Sequence, residues 1–161
     1  MTLIKSISGI RGTIGGFPGN NLTPLDVVKY ASAFGMWLKS KSKDKIKVVV
    51  GRDARISGLI IQNIVDSTLQ SLGIDVIDLG LSTTPTVEIA VPMEKASGGI
   101  ILTASHNPKQ WNALKLLNNK GEFVSTNDGN EILRIAEEES FQYAHIEYLG
   151  VLEKKDYLQK H

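Results

Sequence analysis

Three of the four arginines in this chain, Arg11, Arg52 and Arg55, stand in short glycine-flanked segments, while lysine dominates elsewhere. Arginine's planar fork of N–H donors suits phosphate and carboxylate groups. The segments are Ser8-Gly9-Ile10-Arg11-Gly12, Gly51-Arg52-Asp53-Ala54-Arg55-Ile56-Ser57-Gly58, Gly80-Leu81-Ser82-Thr83-Thr84-Pro85 and Thr103-Ala104-Ser105-His106-Asn107-Pro108. Together they suggest a site for a phosphorylated or acidic small molecule. Each also has a plainer reading. Arg52, Asp53 and Arg55 can form a network that braces a loop, and Gly9 and Gly12 can supply positive φ in turns. Thr83, Thr84 and Pro85 can simply start a helix. His106 alone is as well read as a loop-bracing histidine. There is no G-x-S-x-G elbow and no G-x-x-x-x-G-K-[ST] phosphate loop. Residue spacing therefore leads to an anion-site α/β domain and no further.

The elements that would position these segments follow from hydrophobic periodicity. Thr23-Pro24-Leu25-Asp26 is a helix start, followed by a stripe of Val27, Val28, Ala31, Phe34, Gly35 and Leu38. A second helix is expected from a Ser57 cap, with Ile61, Ile64, Val65, Thr68, Leu69 and Leu72 as its stripe and Gly73 at its end. Buried strands are predicted at 46–50, 74–79 and 100–103. A helix at 84–95 is shortened or kinked by Pro92. Strands alternating with helices at this spacing predict a three-layer α/β/α sandwich around a mixed, mainly parallel sheet. In such sheets ligands sit beyond the carboxyl ends of the strands, which is where the glycine-flanked segments are expected to fall. After Pro108 a hairpin through Asn118-Asn119-Lys120-Gly121 and a helix over 128–138 are predicted, with Glu137, Glu138 and Glu139 on a solvated face. Residues 1–148 read as one domain and 149–161 as a connector.

Composition narrows the function classes. The chain has 161 residues, 42% hydrophobic and 22% charged, with a formal net charge of +1. That is the balance of an ordinary globular domain, without the basic excess of a nucleic-acid or anionic-lipid binder. Cysteine is absent, which excludes disulfides, thiolate catalysis and cysteine metal sites, and the three histidines are scattered. Residues 1–10 carry no signal-peptide core and no apolar run is long enough to span a membrane, so a cytoplasmic location is the default expectation.

The string Thr103-Ala104-Ser105-His106-Asn107-Pro108 resembles the phosphoserine loop of the α-D-phosphohexomutases, the family of phosphoglucomutase, phosphomannomutase and phosphoglucosamine mutase. The resemblance extends, in family order, to the segments around Arg11 and Arg52–Arg55, to Thr84-Pro85, and to Asn112 and Lys115. It implies that Ser105 carries a phosphoryl group and exchanges it with a hexose phosphate through a hexose 1,6-bisphosphate, moving phosphate between O1 and O6. It implies roles for Arg11 in holding phosphate, for Lys115 in proton transfer at the sugar hydroxyl, and for His106 and Asn107 in shaping the loop. It also implies Mg²⁺ against the Ser105 phosphate. The family usually has glycine where this chain has Ala113, which bears on the placing of Lys115. Family members have four domains, and the resemblance covers only the first, so a fragment or truncated protein is expected, inactive or nearly so alone. The metal loop, the sugar-reading loop and the last phosphate-binding domain would be partners from the same polypeptide. The rival readings are a non-catalytic domain that binds anionic ligands with these loops as scaffold, and, far behind, a serine hydrolase.

Overall fold

The computed structural model describes residues 1–7 and 9–157. The elements are β1 (Ile4–Ser6), β2 (Gly9–Thr13), α1 (Pro24–Lys41), β3 (Lys47–Arg52), α2 (Gly58–Ser71), β4 (Asp75–Leu81), α3 (Thr84–Met93), β5 (Gly98–Leu102), β6 (Trp111–Leu117), α4 (Thr126–Glu138), a 3₁₀ turn (Ile146–Tyr148) and β7 (Leu152–Lys154). They build one seven-stranded sheet in the order β1-β2-β6-β5-β3-β4-β7. The β5-β3-β4-β7 half is parallel, while β1, β2 and β6 pair antiparallel, so five strands run one way and β1 and β6 the other.

Period-two alternation splits the core between two faces. Val48, Val50, Val76, Ile100, Leu102, Leu114 and Leu116 face α1, α2 and α4 in the larger cluster. Val49, Ile77, Ile101 and Leu117 face the other way, with Val87, Ala90 and Val91 of α3. This is the expected sandwich. Its helices start as the sequence predicts at Pro24, where the Asp26 carboxylate accepts from both the backbone N–H and the hydroxyl of Thr23. Ser57 does not cap α2 with its side chain; its hydroxyl instead accepts from Asn112 Nδ2 at 2.9 Å, tying α2 to β6. Pro92 shortens α3, which ends at Met93.

Several expectations change. The segment around Arg11 is not a loop but strand β2, with Arg11 opposite Ala113 and Gly9 opposite Lys115; Ser8 lies outside the described residues. Gly12 does not have positive φ. A Cβ on Gly9 would collide with the Leu114 carbonyl, and one on Gly12 would press on Leu22, so close strand approach is the requirement. The predicted hairpin at 114–124 reduces to β6, a turn at Gly121 and a single bridge from Leu117 to Phe123. The 149–161 segment, read as a connector, contributes β7, three residues that pair parallel with β4, and the buried Tyr157. Residues 158–161 lie outside the described residues.

Candidate phosphoryl site

The connection from β5 to β6 forms the site. Ser105 is exposed and has φ +50°, a left-handed backbone that costs a non-glycine residue on the order of 1–2 kcal/mol. It occupies the second position of a turn closed by Asn107 N–H donating to the Ala104 carbonyl at 3.0 Å. Lys115 Nζ donates to Ser105 Oγ at 3.1 Å. Arg11, Ser105, His106, Asn107 and Lys115 line one shallow pocket of about 380 Å³ with Ala104 and Ala113. A second hollow of about 310 Å³ shares Arg11, Ala113 and Lys115 and reaches Ser6.

The sheet explains this convergence. Gly9, Arg11, Ala113 and Lys115 occupy alternate positions of β2 and β6, opposite to Ile10, Leu114 and Leu116, which enter the larger core. α3 packs on β3 and β5 of that same face. The β2–β6 part of the face is where the two hollows lie, beside the Ser105 loop. Arg11 is exposed, and among the described residues its guanidinium makes no hydrogen bond or ion pair; the same is true of the His106 imidazole.

Arg55 behaves in the opposite way. Its guanidinium donates to the carbonyls of Ser105 (2.9 Å), Asn107 (2.8 Å), Pro108 (2.7 Å) and Trp111 (3.1 Å). Asp53 supports it from behind, with Oδ2 3.4 Å from Arg55 Nε and also accepting from Thr103 Oγ1 at 2.6 Å. Thr103 Oγ1 in turn accepts from the Ser105 N–H at 3.2 Å. Arg55 and Asp53 are thus the brace that one reading of the sequence expected, while Arg52 adds only a long contact to the Asp53 carbonyl. Thr103 as a link, and the Asn112–Ser57 bond that fixes the start of β6, were missed. Bonds between side chains fifty or more residues apart leave no mark in residue spacing.

The residues present do not fit a magnesium ion by themselves. The pocket is lined by cationic and neutral side chains, Asp53 is engaged by Arg55 and Thr103, and no group of three or more His, Asp or Glu gathers among the described residues. Nor is any helix among them long and apolar enough to cross a membrane.

Residues 3–143 match the family model described as phosphoglucomutase/phosphomannomutase, alpha/beta/alpha domain I. A phosphoglucomutase/phosphomannomutase of Thermococcus kodakarensis is 36% identical over 150 residues, 92% of this chain and 33% of that protein. A phosphoglucosamine mutase of Thermodesulfovibrio yellowstonii is 34% identical over 138 residues, 86% of this chain and 30% of that one. The crystal structure of a phosphoglucomutase/phosphomannomutase family protein from Burkholderia thailandensis superposes with a TM-score of 0.80 over 99% of this chain and 35% of its own, at 22% identity, and so supports the fold. The chain spans about a third of the length of the relatives it matches.

Proposed function

The chain belongs to the phosphoglucomutase/phosphomannomutase family, as its alpha/beta/alpha domain I, and on that premise we propose that it is the serine-bearing domain of a phosphohexomutase. Ser105 is the phosphoryl carrier. The observation that supports this reading most directly is the Lys115 ammonium 3.1 Å from an exposed serine oxygen held in strained backbone. In the reaction, a hydroxyl of a hexose monophosphate attacks phosphorus and the bond from phosphorus to Ser105 Oγ breaks, giving a hexose 1,6-bisphosphate. The attacking hydroxyl gives up its proton as the departing serine oxygen takes one, and Lys115, whose ammonium donates to that oxygen, is placed to give the proton to serine and recover one from the sugar hydroxyl. The bisphosphate turns over and returns its other phosphoryl group to Ser105, so that phosphate moves between O1 and O6. Arg11 supplies an uncommitted fork for phosphate oxygens on the same open face. His106 and Asn107 complete the pocket wall.

Magnesium enters this reading only as a partial site: a phosphate on Ser105 offers oxygen ligands, and the remaining ligands come from outside these residues. The 161-residue chain alone is expected to turn over hexose phosphates poorly, because enclosure and orientation can supply about 7–11 kcal/mol of barrier reduction and this pocket is one open wall. A cytoplasmic location accords with this function.

The test is intact-mass spectrometry after exposure to glucose 1,6-bisphosphate. One added phosphoryl, about 80 Da, mapped to Ser105 and absent from Ser105→Ala, is the expected result, with the same substitution in a full-length relative as the control for slow uptake. Reversible anion binding with no covalent adduct in either protein would favour the non-catalytic anion-binding domain.

A further inference from the structure

The Arg55 brace does more than hold a loop still. We propose that the peptide N–H of His106 is a backbone donor to the phosphoryl group on Ser105, and that Arg55 is the positioning residue that aims it. This rests on the reading of Ser105 as the phosphoryl carrier.

Three observations converge. The turn 104–107 has two central N–H groups. That of Ser105 is taken by Thr103 Oγ1, while that of His106 has no acceptor among the described residues. Second, the carbonyl of the same Ser105–His106 peptide accepts from Arg55 Nη2 at 2.9 Å. The peptide is trans, so its N–H points opposite to its carbonyl, away from the guanidinium. Third, positive φ falls on Ser105 and not on His106, the pattern of a type II′ turn, which sets the orientation of this central peptide. The strain at Ser105 is thereby accounted for: it keeps the carbonyl on Arg55 and the N–H free.

Arg55 cannot itself reach for a ligand. Its side chain is only 12% exposed, its two Nη groups are spent on four carbonyls, and its Nε is buried 3.4 Å from Asp53 Oδ2. Its effect on phosphate is exerted through the peptide it orients. A fixed N–H dipole aimed at phosphoryl oxygens stabilises their charge without reorganising during transfer.

The experiment installs phosphoserine at position 105 of this chain by site-specific incorporation, so that it reports whether or not Ser105 accepts phosphoryl from a sugar. Amide spectra of the serine and phosphoserine forms are compared at pH 8. The expected result is a downfield shift of the His106 amide proton that exceeds those of neighbouring amides, and slowed exchange of that proton. His106→Gln should keep the shift at position 106, because the donor is backbone. Arg55→Lys should lose most of it while the core amides stay in place, because a lysine cannot hold four carbonyls. Absence of the shift in the parent phosphoprotein overturns the donor assignment. A full shift in a folded Arg55→Lys overturns the positioning role. Failure of Ser105 to take phosphoryl from glucose 1,6-bisphosphate would instead count against the carrier reading alone.

Discussion

Charge is managed in opposite ways at the Ser105 cleft and at the far edge of the sheet, where α2, β4 and β7 meet. At the cleft, cations outnumber their partners: among the described residues Arg11 has no hydrogen bond or ion pair, Lys115 rests on a serine, and the nearby acid Asp53 is absorbed by Arg55 and Thr103. At the far edge acids are buried. Asp66 is 3% exposed, and among the described residues one of its carboxyl oxygens has no hydrogen-bond partner. Burial, then its hydrogen bond with Asp78, pushes the Asp66 carboxyl up to about 9. Asp78 meanwhile accepts from Gln62 at 2.8 Å and from the Gly80 N–H at 2.7 Å. An exposed, unpaired cation costs the fold little and is available to a ligand; a buried acid is kept neutral and serves packing. The two patterns separate binding groups from structural ones better than residue type does.

The comparison can be broken by exchanging the predicted behaviours of its members. The largest stability change is expected for Arg55→Ala, which strands several loop carbonyls and Asp53 and should cost about 2–4 kcal/mol in urea unfolding. Arg11→Ala, by contrast, should leave stability within about 0.5 kcal/mol while reducing phosphoryl uptake at Ser105. Equal costs for the two would erase the distinction between brace and binding group.

Asp66 gives an effect whose size depends on pH. Folded, it holds its proton up to about pH 9, whereas unfolded it releases it near its ordinary value of 3.8. Between those limits the folded state binds more protons, so stability falls as pH rises. Asp66→Asn stays neutral throughout. Its advantage over the parent should be near zero at pH 4 and grow by about 1.4 kcal/mol for each pH unit up to pH 8, followed by thermal melts across that range. An advantage that does not change with pH would show that Asp66 is ionised in the folded protein.

A modest loss is expected at Glu94, whose carboxylate receives Lys155 Nζ at 2.7 Å and the Tyr157 hydroxyl. Burial and then this bond push the Tyr157 phenol up to about 12. Glu94→Gln should cost about 1 kcal/mol and make the segment after β7 more open to protease, read by limited proteolysis.

Legibility in the sequence followed the same division between packing and backbone geometry. α1, α2, α3, α4 and strands β3, β4 and β5 announced themselves because their apolar residues repeat at helical spacing or cluster in short runs. β1 and β7 were invisible because all six of their residues are exposed, leaving no alternation to read. β2 carries only Ile10 as a large buried side chain, between glycines, and so reads as a loop. In the site, Ser105, Lys115, Arg11, His106 and Asn107 were found through a motif, and the structure brings all five to one pocket. The grip of Arg55 on four carbonyls could not be found that way, since every residue carries a carbonyl and only the fold decides which ones converge.

The strand order also dictates a sequence of events. Ser105 and Lys115 are ten residues apart and are brought together by closing the short β5–β6 connection. Arg11 reaches them only when β2 pairs with β6, across about a hundred residues of intervening chain. Loop closure over that span is the slower step. During refolding, then, the serine and its lysine should meet first, and the arginine should arrive with the last antiparallel pairing, so that affinity for phosphate ripens after most of the sheet is already in place.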